Sequence, residues 1–216
     1  MIVTSTRLST LVDWIDGNVL ADIGCDHGYV AVNAVLLNRV KKAYACDIAQ
    51  GPLDNAKKTI SMAHVENQVF PYLMNGIENL PEDVDTIVIA GMGAKTMIDI
   101  LSASFEKIKK GMKLYLLPHK DANELREYLS HMGISIEKEI VLYEDHHYYP
   151  LLACNVTLKP YALPLKEVEY GRHVLVNKEY QDYIESEKDK WSNILKKVPE
   201  WKQEEIKNRL DILNTL

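Results

Sequence analysis

The densest chemistry of this 216-residue chain lies in one decapeptide, Leu20-Ala21-Asp22-Ile23-Gly24-Cys25-Asp26-His27-Gly28-Tyr29. An apolar, β-compatible run enters a Gly-x-Asp-x-Gly turn and leaves it as a helix. The glycines let the backbone turn sharply and approach a ligand closely, and free amides at a helix start favour a carboxylate or phosphate. A dinucleotide site would place G-x-G-x-x-G here to pass a pyrophosphate, and that spacing is absent. S-adenosylmethionine has no phosphate. Its amino-acid end offers one ammonium and one carboxylate, which suits a loop combining acids with amides, and Asp22 is the candidate for the ammonium. Alone, the motif also fits an ordinary strand–helix turn.

Three further segments should converge on the same edge. Asp47-Ile48 ends the second strand, 23 residues after Gly24, where an acid can accept hydrogen bonds from both ribose hydroxyls. The alternative is that Asp47 only caps the turn before Pro52. Asn75-Gly76 follows the third strand, near where an adenine ring would lie, although asparagine–glycine is also a common turn. Gly91-Met92-Gly93 follows the fourth, where small residues keep a pocket floor open. The acidic or amide residue, paired prolines and aromatic of many amino-group methyltransferases are missing there. That disfavours an exocyclic amine and leaves an endocyclic nitrogen, which already owns a lone pair.

Two histidine and cysteine patterns carry less. His146 and His147 adjoin Asp145, but neighbours on a hairpin point to opposite faces, so no metal site is expected. Cys25 lacks a basic partner and reads as a buried filler, and Cys25, Cys46 and Cys154 form neither a paired framework nor a CxxC site. No apolar run approaches the ~20 residues that a bilayer requires, and no signal peptide is evident, so a cytoplasmic protein is expected. The formal net charge of −6 is the wrong sign for holding nucleic acid by bulk electrostatics. Any such binding must be local, at Lys107, Lys109, Lys110 and Lys113, or at Lys196, Lys197, Lys202, Lys207 and Arg209.

The elements that must position these residues alternate. Periodicity predicts a first helix over Thr6 to Asp16, strands at Val19–Ile23, Ala43–Ile48, Val69–Leu73, Thr86–Ala90 and Lys113–Leu117, and helices between them. That is a doubly wound, mostly parallel α/β sheet. Ile134–Leu142 and Tyr148–Leu158 then form a β-hairpin around Glu144-Asp145-His146-His147, with no room for a crossover helix. The sum resembles the Rossmann-like class I methyltransferase fold, a doubly wound sheet ending in an antiparallel hairpin. Beyond Pro160 an apolar stripe, interrupted at Pro199 and resumed at Trp201, Ile206, Leu210 and Leu213, predicts two antiparallel, coiled-coil-like helices. Domains over 1–160 and 161–216 are expected, the second being a packing or dimerisation arm or a grip on a large substrate.

These residues together resemble the TrmK family, bacterial methyltransferases acting on N1 of the adenine at position 22 of tRNA. The resemblance rests on Arg7-Leu8, the Leu20–Tyr29 loop, Gly51-Pro52, Asn75-Gly76, Gly91-Met92-Gly93, and the hairpin bearing Glu144-Asp145 and Tyr149. Leu117-Pro118-His119 departs from the glutamine–proline–asparagine expected there. It implies S-adenosyl-L-methionine as cofactor, tRNA as partner, and metal-free in-line methyl transfer to a ring nitrogen. It also implies that Asp22, Gly24, Cys25, Asp26, His27, Gly28, Asp47, Ile48, Asn75, Gly76, Gly91, Met92 and Gly93 hold the cofactor. Asp26 and Tyr29 are then the catalytic candidates: a carboxylate facing the nascent cation, and a ring to stack on or hydrogen-bond the base. Their alternatives are a helix N-cap and a core aromatic, and His27 would brace the loop. A metabolite methyltransferase, or a silent module binding RNA or protein, stays open, as does a monomer or weak dimer.

Overall fold

A computed structural model describes Ile2 and residues 5–216. Its sheet contains β1 (Val19–Ile23), β2 (Lys42–Asp47), β3 (Val69–Leu73), β4 (Thr86–Met92), β5 (Lys113–Pro118), β6 (Ile134–Glu144) and β7 (His147–Val156). Their order is β3-β2-β1-β4-β5-β7-β6, and only the pairings of β7 are antiparallel. The order reverses direction between β1 and β4. At such a switch point the flanking loops part and leave a crevice beyond the carboxyl ends of the strands.

Helices α1 (Thr6–Trp14), α2 (Tyr29–Leu36) and α3 (Gln50–Ala63) join the apolar cluster on one face, with Leu20, Val88, Tyr115 and Leu117. On the other, α4 (Ala94–Ala103) and α5 (Ala122–His131) pack on Ala21, Ile23, Ile87, Ile89, Leu114 and Leu116. This alternation is the two-residue period of a strand buried on both sides. Helix α2 is apolar nearly all round, and its buried Asn33 both accepts from the Ile2 amide (2.7 Å) and donates to the Ile2 carbonyl (3.1 Å).

Several boundaries differ from expectation. Helix α1 stops at Trp14 because the Ile15 amide turns back to Leu11 and Val12. Strand β4 runs on to Met92 across an irregularity at Gly91, whose φ of +79° suits glycine. The hairpin turn is only Asp145-His146, both at positive φ (50° and 63°), so the flanking Glu144 and His147 are paired strand residues. Two consecutive left-handed residues match the right-handed strand twist.

After β7 come α6 (Leu165–Tyr170), α7 (Lys178–Leu195) and α8 (Glu200–Leu213). Tyr170, Tyr180, Ile184 and Leu213 form a cluster with Val141 of β6. The two long helices therefore rest on the sheet hairpin, and the coiled-coil expectation is unsupported. Trp201 corrects the apolar-stripe reading: it is 76% exposed, beneath Lys202 at 4.8 Å. Pro199 occupies the N-cap of α8, ahead of its first turn. Arg126 and Glu139 are buried and paired at 2.9 Å; Arg126 also donates to the Val168 carbonyl, and Glu139 accepts from the Arg172 amide. This pair ties the body to the tail, because losing either partner strands a buried charge. Among the described residues no helix is long and apolar enough to cross a membrane.

Candidate active site

Strand β1 delivers Asp22 and Ile23 to the crevice and the chain then crosses β2: the amides of Gly24 and Cys25 both donate to the Cys46 carbonyl, at 2.9 and 3.0 Å. This corrects the reading of the loop as a set of free amides, since those two are already used; among the described residues, no partner is found for the amides of Asp26, His27 and Tyr29. Gly28 takes φ +69° at the N-cap of α2, and a Cβ there would stand 3.1 Å from the Ala56 side chain of α3. Gly28→Ala is expected to cost about 1–2 kcal/mol from the left-handed backbone alone and more from that contact. A thermal melt checks this, and an unchanged midpoint would contradict it.

The Asp22 carboxylate is 3% exposed and accepts from the Ala31 amide at 3.2 Å, in the first turn of α2. Burial, reinforced by nearby Asp47, pushes its pKa up to about 7 against the lowering effect of the Ala31 bond. Among the described residues no cation faces this carboxylate. Asp26, by contrast, sits at φ +47° with its side chain 71% exposed, 3.7 Å from His27 Nε2. It is not the N-cap of α2, a place held by Gly28 without a side-chain bond. His27 stacks on Tyr29, with centroids 5.2 Å apart and planes 8° from parallel.

Asp22, Gly24, Cys25, Asp26, His27 and Tyr29 line one cavity of about 360 Å³, and Gly91 and Met92 close another side of it. The Met92 methyl lies where a Cβ on Gly24 would be. Burial first, and then the charge of Asp22, raises the Cys25 thiol well above its ordinary range, which leaves it protonated. The other expected cofactor residues lie outside this cavity. Asp47 follows the Cys46 crossing and accepts from the Ala49 amide at 3.0 Å, which bends the chain into α3; Ile48 beyond it is 68% exposed. Asn75 and Gly76 line a separate depression of about 180 Å³, with Asn75 donating to Glu78 at 2.6 Å. Gly93 is the N-cap of α4.

The far wall contains residues to which sequence reasoning gave no role. Arg7 pairs with Glu144 (Nε to Oε2, 3.0 Å) and lies 4.4 Å over the Tyr149 ring, while its Nη1 is buried without a hydrogen-bond partner among the described residues. His119 meets Tyr149 edge-on, with centroids 5.6 Å apart. Burial, with a smaller push from Arg7, lowers the His119 pKa, so its ring is neutral near pH 7.

The profile of a family described as "Methyltransferase domain" matches residues 4–152. The TrmK of M. capricolum, solved with the cofactor product S-adenosylhomocysteine, is 31% identical and superposes with a TM-score of 0.84 over 98% of this chain and 96% of that one. This chain belongs to the TrmK family. The crystal structure of the B. subtilis m1A22 tRNA methyltransferase TrmK is 25% identical, with a TM-score of 0.84 over 100% of this chain and 99% of that chain. In sequence, the tRNA (adenine(22)-N(1))-methyltransferase of Bacillus subtilis is 33% identical over 153 residues, 70% of this chain. That match spans 64% of the relative's own length. Within the TrmK family member described here, the shared architecture extends through α6–α8. The departure at His119 falls on the wall of the cavity that Asp26 and Tyr29 also line.

Proposed function

We propose that this chain transfers a methyl group from S-adenosyl-L-methionine to N1 of the adenine at position 22 of tRNA. The observation that carries the reading is the cavity at the β1/β4 switch point, where a buried, cation-seeking Asp22 and an exposed Asp26 share one enclosure. The relatives' chemistry supports the same reading. We divide the chain at about residue 160 into a cofactor-binding body and a helical RNA-binding tail, acting in the cytoplasm as a monomer or weak dimer.

The residues present fit the cofactor. Asp22 would take its ammonium, the open amides of Asp26 and His27 its carboxylate, and Asp47 its ribose; Gly91 and Met92 form the floor. When bound, S-adenosylmethionine supplies a methyl group made electrophilic by its sulfonium. The protein has no proton to remove from N1, which attacks through its own lone pair. What remains for the chain is to hold the flipped base in line and to face the positive charge that grows on it. Tyr29, held flat by His27, presents a ring to the base. Asp26 presents a carboxylate. Glu144 neutralises Arg7, so that cation opposes the charged product less. Calorimetry tests the cofactor assignment: S-adenosylhomocysteine should bind and NAD should not, and the reverse would overturn it.

The tail carries one of the two lysine-bearing regions. At the α7–α8 junction, exposed Trp201 has Lys202 4.8 Å over its ring, and Lys196 and Lys197 precede it closely in sequence, a base-stacking ring beside phosphate-binding charge. Cutting the chain after Pro160 is a poor test, because it removes the Val168 and Arg172 partners of the buried Arg126–Glu139 pair. Trp201→Ala, on the surface, is cleaner. It is expected to weaken tRNA binding by roughly 5- to 100-fold with an unaltered melting temperature. Equal affinity in a filter-binding assay would make the tail only structural.

A further inference from the structure

A second cleft, of about 280 Å³, lies between the β6–β7 hairpin, the start of α5 and the helices α6–α8. His119 lines both this cleft and the methyl-transfer cavity, so the two are neighbours. One wall is aromatic. Tyr143 and Tyr148 are cross-strand partners with ring centroids 4.9 Å apart, and Tyr148 lies 5.4 Å from Tyr183 of α7. Tyr143 is 50% exposed and Tyr148 lines the cleft, so the row of rings leads inward from solvent.

The cleft's other end is the start of α5. Asp121 takes φ +58° at the N-cap and makes no side-chain cap bond, and Ala122 and Asn123 line the cleft. The first amides of a ten-residue helix favour an anion. Lys120, immediately before them, is 75% exposed in its side chain and has its nearest carboxylate, Asp121, 3.9 Å away. Two of the acids on the wall are matched: Glu169 pairs with Arg209 at 2.9 Å, and Glu187 with Lys190 at 2.8 Å and the Trp191 indole at 3.1 Å; the third, Asp121, is half exposed and faces Lys120. Tyr170, on the same wall, is 2% exposed, and its buried hydroxyl lies beside the Arg209 guanidinium.

We infer that this cleft is a second nucleotide subsite, which holds the nucleotide adjoining the target adenosine on the same RNA strand. Its base lies on the Tyr143–Tyr148 row and its phosphate at the start of α5 beside Lys120. The inference rests on the RNA methyl-transfer reading above. A base that leaves the stack uncovers the face of its neighbour, and an aromatic side chain replaces that lost stacking without regard to sequence. The subsite thus steadies the flipped state and sets which side of the target is read.

The test uses the full-length protein and tRNA transcripts carrying an abasic residue on one side or the other of the target adenosine. With wild-type protein, an abasic residue on one side should raise the Kd roughly ten-fold, and on the other side should not. Tyr148→Ala should raise the Kd for intact tRNA by a similar factor and should erase the abasic penalty, because both remove one interaction. Tyr148→Phe should retain both. Lys120→Gln, at an exposed position, should lower the salt dependence of log Kd by about one. S-adenosylhomocysteine affinity should not move in any of them. Equal abasic penalties in wild type and Tyr148→Ala, together with an unchanged salt slope in Lys120→Gln, would overturn the subsite. Methylation of intact tRNA by the wild type decides the underlying reading separately: with product formed and no abasic effect the subsite alone fails, and with no product both fail.

Discussion

Asp26→Asn is expected to bind S-adenosylhomocysteine like the parent and to methylate tRNA roughly 10²–10³ times more slowly, the loss typical of removing one preorganised electrostatic partner. The substitution keeps shape and removes charge. The alternative role, a cap on α2, is already taken from Asp26 by the backbone, since Gly28 holds the N-cap and the Asp22 carboxylate reaches the Ala31 amide instead. Asp26 is 71% exposed in the free protein, so its field is weak in water; it strengthens only when the bound RNA excludes that water. The loss should therefore fall on single-turnover rate at saturating tRNA. Tyr29→Phe, which keeps the ring stacked on His27, should stay within a few-fold, whereas Tyr29→Ala should lose both ring and alignment. A near-parental rate for Asp26→Asn would remove the catalytic assignment.

Asp22→Asn is expected to separate stability from function. In the ligand-free protein the Asp22 pKa is raised to about 7 by burial, so the folded state holds its proton more tightly than the unfolded chain does. A carboxyl raised in this way makes the protein less stable as pH rises from about 4 to about 7, after which the full penalty persists. Asparagine can still accept from the Ala31 amide and cannot ionise. Its melting temperature should exceed the parent's at pH 8, and the difference should shrink by pH 5. Cofactor affinity should fall by at least ten-fold, because the ammonium loses its ion pair. In the parent, affinity should strengthen as pH rises through about 7, and in the variant that dependence should vanish. A variant less stable than the parent at pH 8, with unchanged affinity, would contradict the account.

The part of the site legible in the sequence is the part built by local spacing. A strand, a Gly-x-Asp-x-Gly turn and a helix must put Asp22, Asp26 and Tyr29 within one turn of each other, whatever surrounds them. Strand alternation likewise gave the order of elements, and the hairpin followed from the missing crossover. Arg7 and His119, backed by Tyr149, were visible as residues but not as a wall, because tertiary packing alone brings α1, β5 and β7 together. The amides of Gly24 and Cys25 looked free because their acceptor, the Cys46 carbonyl, lies across a strand pairing that no local pattern displays. Trp201 was read as core from its place in a helical stripe, yet α8 turns that position to solvent. Its neighbours Ile206 and Leu213 are buried, so the stripe existed and only its first member was misjudged.

The most direct test of the central claim is mass analysis of nucleosides from a tRNA transcript incubated with the full-length protein and isotopically labelled S-adenosylmethionine. The account predicts labelled 1-methyladenosine, at one equivalent per tRNA, which disappears when the adenine at position 22 is replaced by guanine. Label at an exocyclic amine, label that persists after that replacement, or no label in a protein that binds the cofactor would contradict it.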